Sequence, residues 1–289
     1  MHPALQSLLD ALDLRDLGDQ AYEALSPDTD GARLHLFGGQ VLAQGLVAAQ
    51  RTTQAGLAHS LHAYFLRRGT PREPIRFEVS LLRRSRSFLA CAVTAHQSGE
   101  AIMQMSLSYH DAEPGPEHQI PMDEVGPPAG ETYERVLLRS MTPAGYEESG
   151  IPFELPVEIR GVGGLAFFSP EIKPPGARCW MRVRGELPDD PVLHQCLFAY
   201  ASDYAIMVPA LHPHPYRMAE LQTASIDHAL WFHRGFRMDD WLLFELDSPI
   251  AHGARGMGRG LLYTRAGTLV ASSVQEALLR PVPPPQKGL

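Results

Sequence analysis

The sequence has no CxxC pair, no HExxH zinc motif and no GxSxG nucleophile elbow. Its three cysteines, Cys91, Cys179 and Cys196, are odd in number and widely spaced. That fits free thiols in a reducing compartment rather than a disulfide framework. His212-Pro213-His214 is the one metal-like spacing, and without a cysteine cluster or HExxH around it a proline turn with exposed imidazoles explains it better. The missing elbow disfavours a serine hydrolase that works through an acyl-enzyme. No stretch approaches the ~18 uninterrupted apolar residues of a membrane span, no apolar N-terminal run marks a secretory signal, and Gln286-Lys287-Gly288-Leu289 is not an SKL-type address. Positive charge is scarce as well: 25 Lys and Arg against 33 Asp and Glu leave a net charge of −8, which argues against a general nucleic-acid binder. The expectation is a soluble cytoplasmic protein with no metal site, no nucleic-acid partner and no membrane insertion.

What is present is an ordinary globular composition, 44% hydrophobic and 20% charged over 289 residues, enough for two domains or one doubled domain. Ala4–Leu14 has leucines at helical spacing, Ala32–Phe37 reads as a short strand, and Gly38-Gly39 leads into a buried helix over Gln40–Gln50. The two glycines permit a tight entry, a close backbone approach or a ligand cradle. Strands follow over His59–Arg67, Ile75–Leu82, Phe88–His96 and Ala101–Tyr109, the last two joined by a Ser98-Gly99 turn. Prolines then accumulate from Asp111 to about Gly150, a connector with room for one helix over Glu131–Arg139. Val157–Val162 and Ala177–Arg184 read as strands. Pro191–Leu211 reads as a long apolar helix that Pro209 ends or bends.

The stretch Thr223–Arg234, TASIDHALWFHR, alternates as one half-buried strand and echoes Ser60–Gly69, SLHAYFLRRG, upstream. Setting His62 on His228 is an offset of 166 residues and also matches Ala63, Arg68 and Gly69 with Ala229, Arg234 and Gly235. Strands at Trp241–Asp247, Met257–Arg265 and Leu269–Leu279 repeat the earlier order, with Ala266-Gly267 turning the last pair. Helix, strand, strand and hairpin recur in sequence, which points to duplication. The pairing of His62 with His228 suggests a shared structural role, such as a buried hydrogen bond. Residues 1–110 and 151–280 form the two repeats, 111–150 the connector and 281–289 a mobile tail.

A helix wrapped by an antiparallel sheet and then duplicated is an α+β arrangement that resembles the double hot-dog fold, with a long central helix in each repeat. The wording is similar to the acyl-CoA thioesterase II family in FGGQVLAQ (Phe37–Gln44), HAYFLRRG (His62–Gly69), HQCLFAYASD (His194–Asp203), SIDHALWFHR (Ser225–Arg234) and ARGMGRGLLYTRAGTLVASSVQE (Ala254–Glu276). The resemblance implies hydrolysis of fatty acyl-coenzyme A by a water held by Asp203, Ser225 and Gln275. It also implies acyl-CoA as the small-molecule partner, no cofactor beyond the coenzyme A of the substrate, and a homo-oligomer. Many members carry Thr where this chain has Ser225; Ser keeps the hydroxyl and loses a rotamer restriction.

The residues carry part of this alone. Asp203 is the only charged side chain between Pro191 and Arg217, and burial among apolar neighbours raises a carboxylate's basicity unless it is partnered. A carboxylate capping a backbone group at a helix irregularity is the structural alternative. In the repeat registers Asp203 falls on Phe37, Ser225 on His59 and Gln275 on Leu107, so the first copy lacks both the carboxylate and the amide. Groups required by the fold should occur in both copies, so their restriction to one favours function. Gly38, Gly39, Arg255 and Arg259 are candidates for substrate binding. Gly253–Gly260 also reads as tight β packing, and Arg83, Arg84 and Arg86 are a second candidate for coenzyme A phosphates that solvated loop charges explain better. Two rival classes stay open: a hot-dog hydratase or dehydratase, for which Asp227-His228 offers a His–Asp pair only as strand neighbours on opposite faces, and a catalytically silent acyl-CoA binding protein.

Overall fold

The computed structural model describes residues 1–24, 36–141, 154–163, 171–216 and 220–282. The expected strand at Ala32–Phe37 lies mostly outside these residues, and Leu36 and Phe37 form no strand. The tail from residue 283 also lies outside them.

Helix α1 (Pro3–Leu12) lays Leu5, Leu8, Ala11 and Leu12 onto the core. Strands β1 (Arg15–Gly18) and β2 (Ala21–Ala24) precede α2 (Gly38–Thr53). There follow β3 (Ala58–Phe65), β4 (Ile75–Arg84), β5 (Phe88–Gln97) and β6 (Glu100–His110). After the connector come α3 (Tyr133–Met141), β7 (Val157–Gly161), β8 (Gly176–Val183), α4 (Pro191–Ser202) and α5 (Val208–Leu211). The chain closes with β9 (Leu221–Ser225), β10 (Asp227–Phe232), β11 (Leu242–His252), β12 (Arg255–Thr264) and β13 (Leu269–Pro281).

The strands build one large antiparallel sheet. Read outward from the contact of β3 with β10, the order is β6, β5, β4, β2, β1 on one side and β13, β12, β11, β8, β7 on the other, with β9 paired to β13. Helices α2 and α4 pack on each other inside it. Both helices are apolar on most of their surface because they are buried on most sides. The connector lies across the sheet of the second half: Gln119 donates to the Gly267 carbonyl at 2.8 Å and Trp180 donates to the Gly126 carbonyl at 2.9 Å.

Three local expectations change. First, Pro191–Leu211 is not one helix. Asp190 caps α4 by accepting from the Val192 and Leu193 N–H groups, but α4 stops at Ser202, seven residues before Pro209. Pro209 sits in the first turn of α5, where its missing N–H costs nothing. Gly258 shows what presses on the break: a Cβ there would stand 2.0 Å from the Ile206 carbonyl oxygen. Only a glycine lets β12 approach the turn after α4 so closely.

Second, TASIDHALWFHR is two strands. Ser225 faces Ala277 and Ala229 faces Val274, so β9–β10 spends one residue more than β13 over this interval. That is a β-bulge. It reverses the alternation, and Ser225, on the opposite parity to His228 in a regular strand, turns to the same side.

Third, His62 and His228 do not share a role. His228 is fully buried, whereas His62 is exposed on the outer face with its ring 5.0 Å from that of Trp231. The 166 register is thus off by one residue, which in a strand exchanges faces. It is Leu61 that lies inward, opposite Leu107 across β3 and β6, as His228 lies against Gln275 across β10 and β13. Phe37 and Asp203 are not equivalent either, since Phe37 opens α2 and Asp203 closes α4.

Candidate active site

The break after α4 sets Asp203 against the start of α2. Its Oδ2 accepts the Gly39 N–H at 2.9 Å. The first N–H groups of a helix have no partner of their own, so a carboxylate is a natural anchor for them. Glycine is required for the approach. A Cβ at Gly39 would stand 2.3 Å from the Tyr200 carbonyl oxygen, and one at Gly38 2.9 Å from Asp203 Oδ2. Both glycines therefore hold the carboxylate's surroundings open. Gly39→Ala is expected to push the two helix ends apart, lower stability by about 1–3 kcal/mol as overpacking does, and reduce kcat more than KM. Thermal melting alongside steady-state kinetics measures both.

Gln275, on β13, is 1% exposed. Its amide nitrogen donates to Ser225 Oγ at 2.8 Å, and its carbonyl oxygen meets His228 Nδ1. His228 Nε2 in turn meets Ser202 Oγ at 3.0 Å, one residue from Asp203. This chain of contacts links the sheet residues Ser225 and Gln275 to the helix end that carries Asp203. Burial lowers the His228 pKa to about 4, so the ring is neutral.

Ser225 and Gly38 line the same cavity, about 380 Å³ in volume, with Val41, Phe65, Arg67 and Arg68 among the other walls. Of the three residues expected to hold the water, Ser225 lines it; Gln275 stands behind Ser225, and Asp203 lies beside Gly38, which forms part of its surface. Arg255 and Arg259 lie elsewhere. Arg255 pairs with Glu276 at 2.9 Å, and Arg259 forms a two-pronged pair with Asp247 at 2.8 and 2.5 Å. The arginines that line this cavity, Arg67 and Arg68, are exposed. Their signal was the HAYFLRRG segment itself, whose basic pair stands at the end of a strand. His212, expected to be exposed, is buried and bonds through Nδ1 to the Gly176 carbonyl at 3.0 Å. Asp227 turns away from His228 and accepts the Glu276 N–H at 2.7 Å, so no His–Asp pair forms there.

The fold is that of the hot-dog proteins. A conserved hot-dog protein from Alicyclobacillus acidocaldarius superposes with a TM-score of 0.74 at 19% identity, over 95% of this chain and 98% of its own. The family is closer than the fold. The profile for acyl-CoA thioesterase matches residues 173–278, and that for the acyl-CoA thioesterase N-terminal domain matches 25–110. Acyl-CoA thioesterase 2 of Haemophilus influenzae is 36% identical over 97% of this chain and 99% of its own length. The crystal structure of acyl-CoA thioesterase II TesB2 from Mycobacterium marinum has a TM-score of 0.77 at 36% identity, covering 99% of this chain and 100% of that one. The chain belongs to the acyl-CoA thioesterase II family. Among the described residues no helix is long and apolar enough to cross a membrane.

Proposed function

We propose that the protein hydrolyses fatty acyl-coenzyme A to free fatty acid and coenzyme A by direct attack of water, with Asp203 as general base and Ser225 and Gln275 orienting the water. The observation that carries this is the Gln275–Ser225 hydrogen bond of 2.8 Å at the wall of a cavity that Gly38 also lines, beside the Asp203 carboxylate. In the step, the water oxygen bonds to the thioester carbonyl carbon and a water proton passes to Asp203. The C–S bond then breaks, and the electron pair leaves with coenzyme A as thiolate. A thiolate is a good leaving group, so no strong acid is needed on that side. No cofactor enters. Thiol release followed with a thiol-reactive dye across acyl chain lengths tests the activity. Trapping of an acyl group on Ser225 would contradict the direct-water route.

The tandem double hot-dog reading belongs with this proposal. It is supported by the mirrored strand order about β3 and β10 and by the buried leucine pair that stands in the first half where His228 and Gln275 stand in the second. The same reading divides the chain into repeats at 1–110 and 151–280 with a connector between, and takes the protein to act in the cytoplasm as a homo-oligomer, which light scattering in solution measures.

Coenzyme A brings phosphates to the cavity mouth, and Arg67 and Arg68 are the cations there. Arg68→Ala is expected to raise KM for acyl-CoA several-fold with kcat nearly unchanged. The difference from wild type should shrink as salt screens the exposed charge. Equal loss of kcat would place Arg68 in the chemistry instead.

A further inference from the structure

We propose that His228, backed by Ser202, is a positioning residue for the hydrolysis: its imidazole, held as the Nδ1–H tautomer, fixes the orientation of the Gln275 amide and leaves the Ser225 hydroxyl proton free for the attacking water. The proposal deepens the thioesterase reading of the cavity and rests on it.

Four side chains form one line. Ser202 Oγ lies 3.0 Å from His228 Nε2, His228 Nδ1 meets Gln275 Oε1, and Gln275 Nε2 lies 2.8 Å from Ser225 Oγ. Ser202 and His228 are fully buried and Gln275 nearly so. A buried amide can turn over with almost no change of shape, so its hydrogen-bond partners alone decide which edge faces Ser225. Two proton orders satisfy the line. In the first, Ser202 donates to Nε2, the Nδ1–H donates to the Gln275 carbonyl, and the amide N–H donates to Ser225. Ser225 then keeps its own proton. In the second, the ring proton sits on Nε2 and points at Ser202, which donates to the Ala199 carbonyl at 3.1 Å. The amide turns over, and its carbonyl takes the only proton of Ser225.

The reaction distinguishes the two. A water that gives a proton to Asp203 and a lone pair to the thioester carbon is held best by a donor against its oxygen. The first order supplies one, the Ser225 O–H. The second offers the water only lone pairs. Since burial keeps the ring neutral, it carries a single N–H, and one proton order holds at a time. No other described donor reaches the Gln275 carbonyl. His228 thus acts through Gln275 and Ser225 without touching the substrate.

The test combines a spectroscopic and a kinetic measurement. In long-range ¹H–¹⁵N spectra of the full-length protein labelled with ¹⁵N-histidine, the signal that disappears in His228→Asn is assigned to His228. It is expected to show the Nδ1–H pattern. His228→Leu is expected to lower kcat by about 10²-fold, the order lost when one preorganised donor is removed, with KM changed little. His228→Asn, whose amide N–H can replace the Nδ1–H, is expected to regain about 10-fold or more of that loss. If the His228 variants fail to fold, Ser202→Ala keeps the ring and removes its donor. The tautomer pattern and kcat should then change together. A wild-type Nε2–H pattern overturns the proposal, as does a His228→Leu enzyme with full kcat or a His228→Asn enzyme no better than it. Wild-type protein that releases no thiol from any acyl-CoA overturns the thioesterase reading, and the catalytic part of this one with it. The tautomer is read in either case.

Discussion

Asp203→Asn is expected to fold normally, bind acyl-CoA, and lose hydrolysis by at least the ~10²–10⁴-fold that a positioned base contributes. The reasons lie at the helix junction. The asparagine carbonyl oxygen can go on accepting the Gly39 N–H, now 2.9 Å from the carboxylate, so the start of α2 and the end of α4 remain joined. What the amide cannot do is take a proton from water. Ser225 and Gln275 would still hold the water, which leaves a residual rate above the uncatalysed one. A loss of kcat with KM and melting temperature nearly constant is the expected signature. If melting falls by many degrees, the carboxylate serves the junction. If turnover stays near wild type, another group is the base.

How much of this could be read in the sequence depended on distance along the chain. The strands and the Ser98-Gly99 and Ala266-Gly267 turns follow from local alternation and turn chemistry, and both glycines have positive φ as the turns require. The Pro-rich connector and the helix within it were visible for the same reason. The end of α4 was not. Nothing between Pro191 and Ser202 breaks a helix, and the turn that follows α4 is packed at Ile206 against Gly258 of β12, a contact between residues far apart in sequence. The bulge at Ser225–Ala229 was hidden too, because it exists only in the comparison of two strands. Without it Ser225 and His228 fall on opposite faces, and their joint attachment to Gln275 cannot be inferred. Asp203 itself was conspicuous as a lone charge among apolar residues. The cap reading describes its contact with a helix N–H, and its place beside the cavity leaves the base reading to the Asp203→Asn test. The absence of an equivalent pair in the first half survives the corrected register: His228 and Gln275 face each other where Leu61 and Leu107 do.

That leucine pair implies that the polar bridge of the second half can be replaced by two leucines without loss of the fold. His228→Leu and Gln275→Leu, made singly, are each expected to cost about 1–3 kcal/mol of stability, because each strands a buried partner without a hydrogen bond. His228→Leu leaves the Gln275 carbonyl unmet, and Gln275→Leu leaves His228 Nδ1 unmet. Made together, they remove both ends of the bond. Ser202 retains the Ala199 carbonyl at 3.1 Å, and Ser225, only half-buried, can turn to solvent. Leu61 and Leu107, 0% and 2% exposed, demonstrate that this sheet accepts two leucines across paired strands. The double variant should therefore be more stable than the sum of the singles predicts and close to wild type, a coupling of about 2–6 kcal/mol, the two single costs together, in a double-mutant cycle. It should nonetheless release almost no thiol from acyl-CoA, since Ser225 has lost the amide that orients it. Chemical denaturation of the four proteins gives the coupling, and the thiol assay gives the activity. Restored stability with lost turnover would mean that the polar pair is retained for chemistry. If the double variant were as unstable as the two singles combined, the pair would belong to the fold.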